Sequence, residues 1–209
     1  MKSSLLSILI LLFSHTVKAQ SPLTPILKTY FRTQPFDIRF SSFIISLQED
    51  PWFTTESFDR RTDTSFFYMS GTYKNFNPFR FNVKEVRLTI AEDQYIHSNS
   101  LKTLDTIIYI QLMGITDTVS LNQPLVKKEY TSFQRKYSSG FWRESYDKNE
   151  KDNKLIWELT NYFIYPFSIS PITIAWGRIQ ETAEYIFTIT IRCKVKQNMA
   201  DFILPPDGL

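Results

Sequence analysis

Odd-numbered positions from Leu155 read Leu155, Trp157, Leu159, Asn161, Phe163, Tyr165, Phe167 and Ile169 before Ser170-Pro171 closes the run. Apolar residues at every second position mark a strand with one buried face, so this stretch predicts a long strand bent near Asn161 or Pro166. The parity then moves to Ile172, Ile174 and Trp176. It is odd again through Tyr185, Phe187, Ile189, Ile191, Cys193 and Val195, and Gln180 to Glu184 falls between as a hairpin turn. Two earlier segments alternate with a one-residue slip, Phe36-Ile38-Phe40 into Phe43-Ile45-Leu47 and Phe79-Phe81-Val83 into Val86-Leu88-Ile90. A slip reverses the buried face unless a bulge absorbs it, so both segments read as long strands in curved or two-layered sheets. Ser65–Tyr73, Thr106–Met113 and a shorter stretch at Thr118–Leu121 read as further strands.

Helix is scarce in this pattern. After Pro124, residues Val126, Tyr130, Phe133 and Tyr137 recur at helical spacing, and Gly140 can take the left-handed conformation beyond the end. A second short turn is expected from Pro25 to Phe31. The charged run from Arg143 to Lys154, RESYDKNEKDNK, reads as a surface loop between strands. No internal repeat and no linker is apparent. The expected fold is mainly β, an antiparallel β-sandwich with at most one or two short helices. A closed barrel of lipocalin-like size is the alternative.

The N-terminus changes the setting. Lys2, the apolar run from Leu5 to Phe13 and the close Val17-Lys18-Ala19 have the order of a bacterial secretory signal, so residues 1–19 read as a signal peptide and 20–209 as one β-rich domain. The expected location is extracytoplasmic, periplasmic or secreted. The apolar run is about half the ~20 residues that a spanning helix requires, and no integral membrane segment is expected after the signal. Of the 24 basic residues, Lys2 and Lys18 leave with it, which leaves 22 against 21 acidic residues and a net charge of +1. So even a balance disfavours binding to nucleic acid phosphates. The single cysteine, Cys193, permits no intrachain disulfide and alternates with core positions.

Candidate chemistry is thin. His15 falls in the signal, so His97 is the one histidine of the remaining chain. No metal site and no cofactor are expected, because zinc sites need several His or Cys ligands. Five separated glycines make no phosphate-cradling loop. Carboxylates are left: Glu49, Asp50, Glu56, Asp59 and Asp63 share one connection with Trp52, Phe53 and Phe58. Paired acids beside aromatic faces are what a glycan-active hydrolase uses, and this is the catalytic alternative. A small outer-membrane β-barrel is the second alternative, since alternating strands rich in aromatics also suit it.

Aromatic residues make up 16% of the chain, more than the alternating core positions absorb. Trp52, Tyr137, Phe141, Trp142 and Tyr146 fall in or beside polar connections, where flat amphipathic rings can meet a partner. The functional expectation is an exported, non-catalytic binding or assembly domain that engages a glycan or an extracytoplasmic protein through these aromatic-bearing loops.

Overall fold

This computed structural model describes residues 22–33, 35, 39–61, 66–92, 105–117, 122–151, 154–164 and 171–196. The expected signal peptide at residues 1–19, His97, Asp63 and the strand expected at Thr118–Leu121 lie outside them. Among the described residues there are three α-helices, α1 (Leu23–Tyr30), α2 (Phe40–Gln48) and α3 (Asn122–Tyr137), and a 3-10 turn at Ser138–Gly140. Eight strands follow in chain order: β1 (Phe53–Arg61), β2 (Phe66–Tyr73), β3 (Glu85–Glu92), β4 (Asp105–Ile115), β5 (Arg143–Lys151), β6 (Lys154–Phe163), β7 (Ile172–Arg178) and β8 (Tyr185–Lys196). They form one antiparallel sheet of order β1-β2-β3-β4-β8-β7-β6-β5.

The mainly β, antiparallel expectation holds, and the core lies sandwich-like between two layers. One layer is the sheet face bearing Met69, Val86, Leu88, Ile90, Ile108, Ile110, Leu112, Phe187, Ile189, Ile172, Ile174, Trp176 and Tyr162. The other consists of the buried sides of the three helices together with Phe79 and Phe81 from the β2–β3 connection. β1 and β5 remain edges, so the sheet does not close into the barrel considered as an alternative.

Four local readings are corrected. Of the slipped strand expected from Phe36 to Leu47, the part from Phe40 on is helix: Phe40, Phe43, Ile44 and Leu47 are spaced for a helix, and α2 buries the last three, while Phe36 and Ile38 lie outside the described residues. Phe79 and Phe81 precede β3 instead of extending it, and their rings stack at 5.3 Å over the sheet. The connection containing Glu49 to Asp59 is mostly strand, and β1 carries a bulge between Thr55 and Ser57. The charged run from Arg143 to Lys154, expected as a loop, is β5 as far as Lys151 and rejoins described structure at Lys154, the first residue of β6.

The strand order also overturns the absence of a repeat. Exchanging β1–β4 with β5–β8 maps the order onto itself, so the topology has a twofold symmetry centred on the β4–β8 pair. Along one register the residues opposite each other are Ser57, Ser70, Thr89, Gln111, Thr190, Thr173, Asn161 and Ser145. This symmetry exchanges Gln111 with Thr190 and relates Ser57 to Ser145 and Thr89 to Thr173. Aligned on this row, Glu56-Ser57-Phe58-Asp59-Arg60 matches Glu144-Ser145-Tyr146-Asp147-Lys148, and Leu88-Thr89-Ile90-Ala91 matches Ile172-Thr173-Ile174-Ala175. Ahead of them, Phe40-Ser41-Ser42-Phe43 of α2 matches Tyr130-Thr131-Ser132-Phe133 of α3, and Trp52 matches Trp142. The chain repeats one unit twice, a helix followed by a four-stranded meander. Unequal connections shift the spacing from one match to the next, which hides the repeat from a fixed-period search.

Candidate functional site

The five aromatic candidates divide into three settings. Tyr137 ends α3 with its ring buried and its hydroxyl 3.0 Å from Thr29 Oγ1. Phe141 is half-buried against Tyr162, ring centroids 4.8 Å apart. Both belong to the core. Trp52 closes the α2–β1 turn and is clamped there: Asp50 accepts from Arg32 Nε (2.7 Å) and from the Trp52 backbone N–H (3.0 Å), while the guanidinium lies 4.5 Å over the indole. Such a clamp fixes a turn and leaves the ring little freedom.

Trp142 and Tyr146 are different. Trp142 immediately precedes β5, its N–H bonded to the Phe163 carbonyl (2.9 Å), and the Arg143 guanidinium sits 5.5 Å from its ring. They are 61% and 55% exposed, so neither ring is part of the core. Four residues of extended chain separate them, about 13 Å. Trp52 stands at the opposite edge of the sheet, seven strand spacings or about 34 Å away. The structure therefore brings Trp142 and Tyr146 onto one edge and sets Trp52 apart from them.

The four described carboxylates considered for catalysis, Glu49, Asp50, Glu56 and Asp59, stand at different points of α2, the α2–β1 turn and β1. Glu49 is exposed at the end of α2, and Asp50 is held by Arg32. Glu56, the residue displaced by the β1 bulge, accepts from Thr72 Oγ1 (3.1 Å) and lies 3.6 Å from Arg87, which also meets Glu85 at 2.8 Å. Asp59 is half-buried opposite Tyr68. Among the described residues no group of three or more His, Cys, Asp and Glu is placed to hold a metal, and no helix is long and apolar enough to cross a membrane.

Two polar features were missed by sequence reading. Glu129 is buried on α3, its carboxylate accepting from the Tyr30 hydroxyl (2.8 Å) and the Arg80 backbone N–H (3.2 Å). The signal was available, since Glu129 falls on the same helical stripe as Val126 and Tyr130. The carboxylate and burial together push the Tyr30 hydroxyl pKa far up, burial being the larger cause. The second feature is the polar row on the sheet face away from the helices. Gln111 Nε2 donates to Thr190 (3.0 Å), Thr173 Oγ1 donates to Asn161 (2.6 Å), Arg192 donates to Thr173 (2.7 Å) and Asn161 Nδ2 reaches Ser145 (3.4 Å). These side chains satisfy one another across strands, which suits a stiff sheet better than a reacting centre.

No family model matches the chain, and no curated protein or solved structure matches it either. Its class is therefore defined by its own architecture: a twofold-repeated helix-and-meander protein with two unequal sheet edges. The particular feature that distinguishes it is β5, exposed at all nine residues, with the ring of Tyr146 on it and that of Trp142 just ahead of it.

Proposed function

We propose that this protein is an exported, non-catalytic binding and assembly domain that engages an extended segment of another protein chain along β5. The observation that carries the reading is the bare edge itself. As an edge strand exposed end to end, β5 offers backbone N–H and C=O groups to an incoming strand, apart from the Lys148 N–H, which donates to Asp147 Oδ1 at 2.8 Å. Trp142 and Tyr146 add large contact area at little entropic cost. Charged residues between them supply direction and selectivity rather than raw affinity. A glycan would use the two rings but leave the backbone groups unused, and this favours the protein partner over the glycan. Export is supported by the signal-like order of residues 1–19.

A panel of extended synthetic peptides and a glycan array, each probed with the wild type and with the Trp142→Ala/Tyr146→Ala variant, tests the reading. Peptide binding by the wild type that weakens about tenfold or more in the variant, with the thermal transition unchanged, is expected. Glycan binding alone, or peptide binding indifferent to the variant, would remove it.

A further inference from the structure

We infer that the segment recognised by β5 is β5 of a second copy of this chain, paired antiparallel about a twofold at Tyr146. This rests on the reading of β5 as a docking edge and names its occupant. The sequence of the strand is complementary to its own reverse. With Tyr146 facing Tyr146, Glu144 opposes Lys148, Ser145 opposes Asp147 and Arg143 opposes Asn149, and the symmetry makes each pair twice. Directly opposed residues of an antiparallel pair share a face with Cβ atoms about 5 Å apart, close enough for each ion pair and hydroxyl–carboxylate pair to form. Sliding the copies two residues one way sets Glu144 against Glu150 and Arg143 against Lys151. The other way leaves Glu144 facing Tyr146 and takes Lys148 beside Trp142.

Geometry and the internal repeat add independent support. β5 keeps an unbroken register with β6 from Arg143 to Asn149, so the edge it presents is straight over the complementary stretch. β1 carries the related Glu56-Ser57-Phe58-Asp59-Arg60, but its bulge displaces Glu56, whose carboxylate is spent on Thr72 and Arg87. The two edges are therefore not equivalent, and the assembly stops at a dimer. At the equivalent positions of the neighbouring strands, Tyr68-Met69-Ser70-Gly71 and Leu159-Thr160-Asn161-Tyr162 share no residue. An exposed edge that keeps its pattern beside a buried strand that has lost it is the reverse of what packing alone produces. Lys148 meets Glu150 of its own strand at 3.0 Å, both side chains about half exposed, and in the dimer Glu144 of the second copy would compete for this ammonium.

Analytical ultracentrifugation of the purified protein over a concentration series is the test, with circular dichroism to follow the fold. The wild type should show a monomer–dimer equilibrium. Glu144→Lys and Lys148→Glu should each weaken it about tenfold or more, since each creates two like-charge pairs. The double variant E144K/K148E restores both pairs and should return to within about threefold of the wild type. A monomer at every concentration, a dimer indifferent to the single variants, failure of the double variant to recover, or growth beyond dimers would each overturn the inference. Peptide binding that depends on Trp142 and Tyr146 in a protein that stays monomeric would overturn self-pairing alone and leave the proposed function standing.

Discussion

β1 and β5 carry the same pattern, Glu-Ser-aromatic-Asp-basic, on opposite edges of one sheet, and they end in different states. β1 is exposed from Thr54 to Phe58 but tied to the body at single points: Phe53 is buried 5.0 Å from Tyr73, Phe58 stands edge-on to Phe67 at 5.7 Å, and α2 packs against the strand. β5 is bare at every residue. The helices account for the difference. α2 lies over its own meander's edge, while α3 crosses to the middle of the sheet, where Phe133 meets Phe187 of β8 and Tyr162 of β6. A local sequence can specify a strand without specifying whether that strand is covered; coverage comes from where the preceding helix finds its apolar partners.

The largest test of this comparison is alkaline titration, because both repeat units bury tyrosines. Burial raises the hydroxyl pKa of Tyr30 and Tyr73 in the first unit and of Tyr162 in the second, and it pushes Tyr130 up to about 12. The folded state thus holds protons that the unfolded chain releases near pH 10. Their stabilising contribution is complete below that pH and is lost as pH rises from there toward the folded-state values. Equilibrium denaturation should show stability level up to about pH 9 and collapsing above pH 10. Tyr162→Phe should flatten the fall, and a fall that is identical in the variant would show that this tyrosine does not drive it.

Next in size is the matched pair Phe43 and Phe133, which occupy the same place in the two units. Both are fully buried, so truncation to Ala should cost about 3–5 kcal/mol in each case. Phe133→Ala should lie at the upper end, since its ring touches Tyr30, Tyr137, Tyr162 and Phe187 and joins both units. Urea denaturation of the two variants checks the order. Equal losses would mean that the halves share one core more evenly than the ring contacts imply.

How far the fold was legible follows from which features are local. The hairpin of β7 and β8 was readable because Ile172-Ile174-Trp176 and Phe187-Ile189-Ile191 face one core and alternate cleanly. α3 was readable from Val126, Tyr130, Phe133 and Tyr137. α2 was misread because Phe40, Phe43, Ile45 and Leu47 satisfy a slipped period of two nearly as well as a helix, and only burial of Ile44 with exposure of Ile45 separates them. In β6 the alternation was real but pointed the other way: Thr160 and Tyr162 face the core, while Trp157, Leu159 and Phe163 lie half-buried on the opposite face. Of the candidate residues, the openness of Trp142 and Tyr146 was legible from their polar neighbours, but their place along an edge strand was not, because that strand looks like a loop until β6 is known to pair with it. The repeat was invisible for a related reason, since its matches become aligned only through sheet register.

A smaller effect probes an element present in one unit alone. Glu129 precedes Tyr130, and the matching position before Phe40 is the exposed Arg39, so the buried carboxylate latch has no counterpart in the first unit. Glu129→Ala leaves the Tyr30 hydroxyl and the Arg80 N–H without their acceptor and should cost about 1–3 kcal/mol. Glu129→Gln retains an acceptor oxygen and should recover part of that loss. Were Gln as damaging as Ala in thermal denaturation, the negative charge rather than the acceptor would be what the latch requires.

The smallest effect separates the two edges most directly. Phe58 and Tyr146 match in the repeat, and both are partly open to solvent, 38% against 55%, so exposure alone predicts similar losses on truncation. The ring environments predict otherwise. Phe58→Ala gives up the edge-on contact with Phe67 along with part of its apolar burial, about 1 kcal/mol together. Tyr146→Ala should change the stability of the monomer by less than about 0.5 kcal/mol, as expected for an exposed side chain outside the core. Measured at a concentration low enough to keep the protein monomeric, a loss at Tyr146 equal to that at Phe58 would mean that β5 is held down by contacts within its own chain and is no free edge. A neutral Tyr146→Ala beside a destabilising Phe58→Ala would leave the ring of Tyr146 with no structural duty in the monomer, as the docking role of β5 requires.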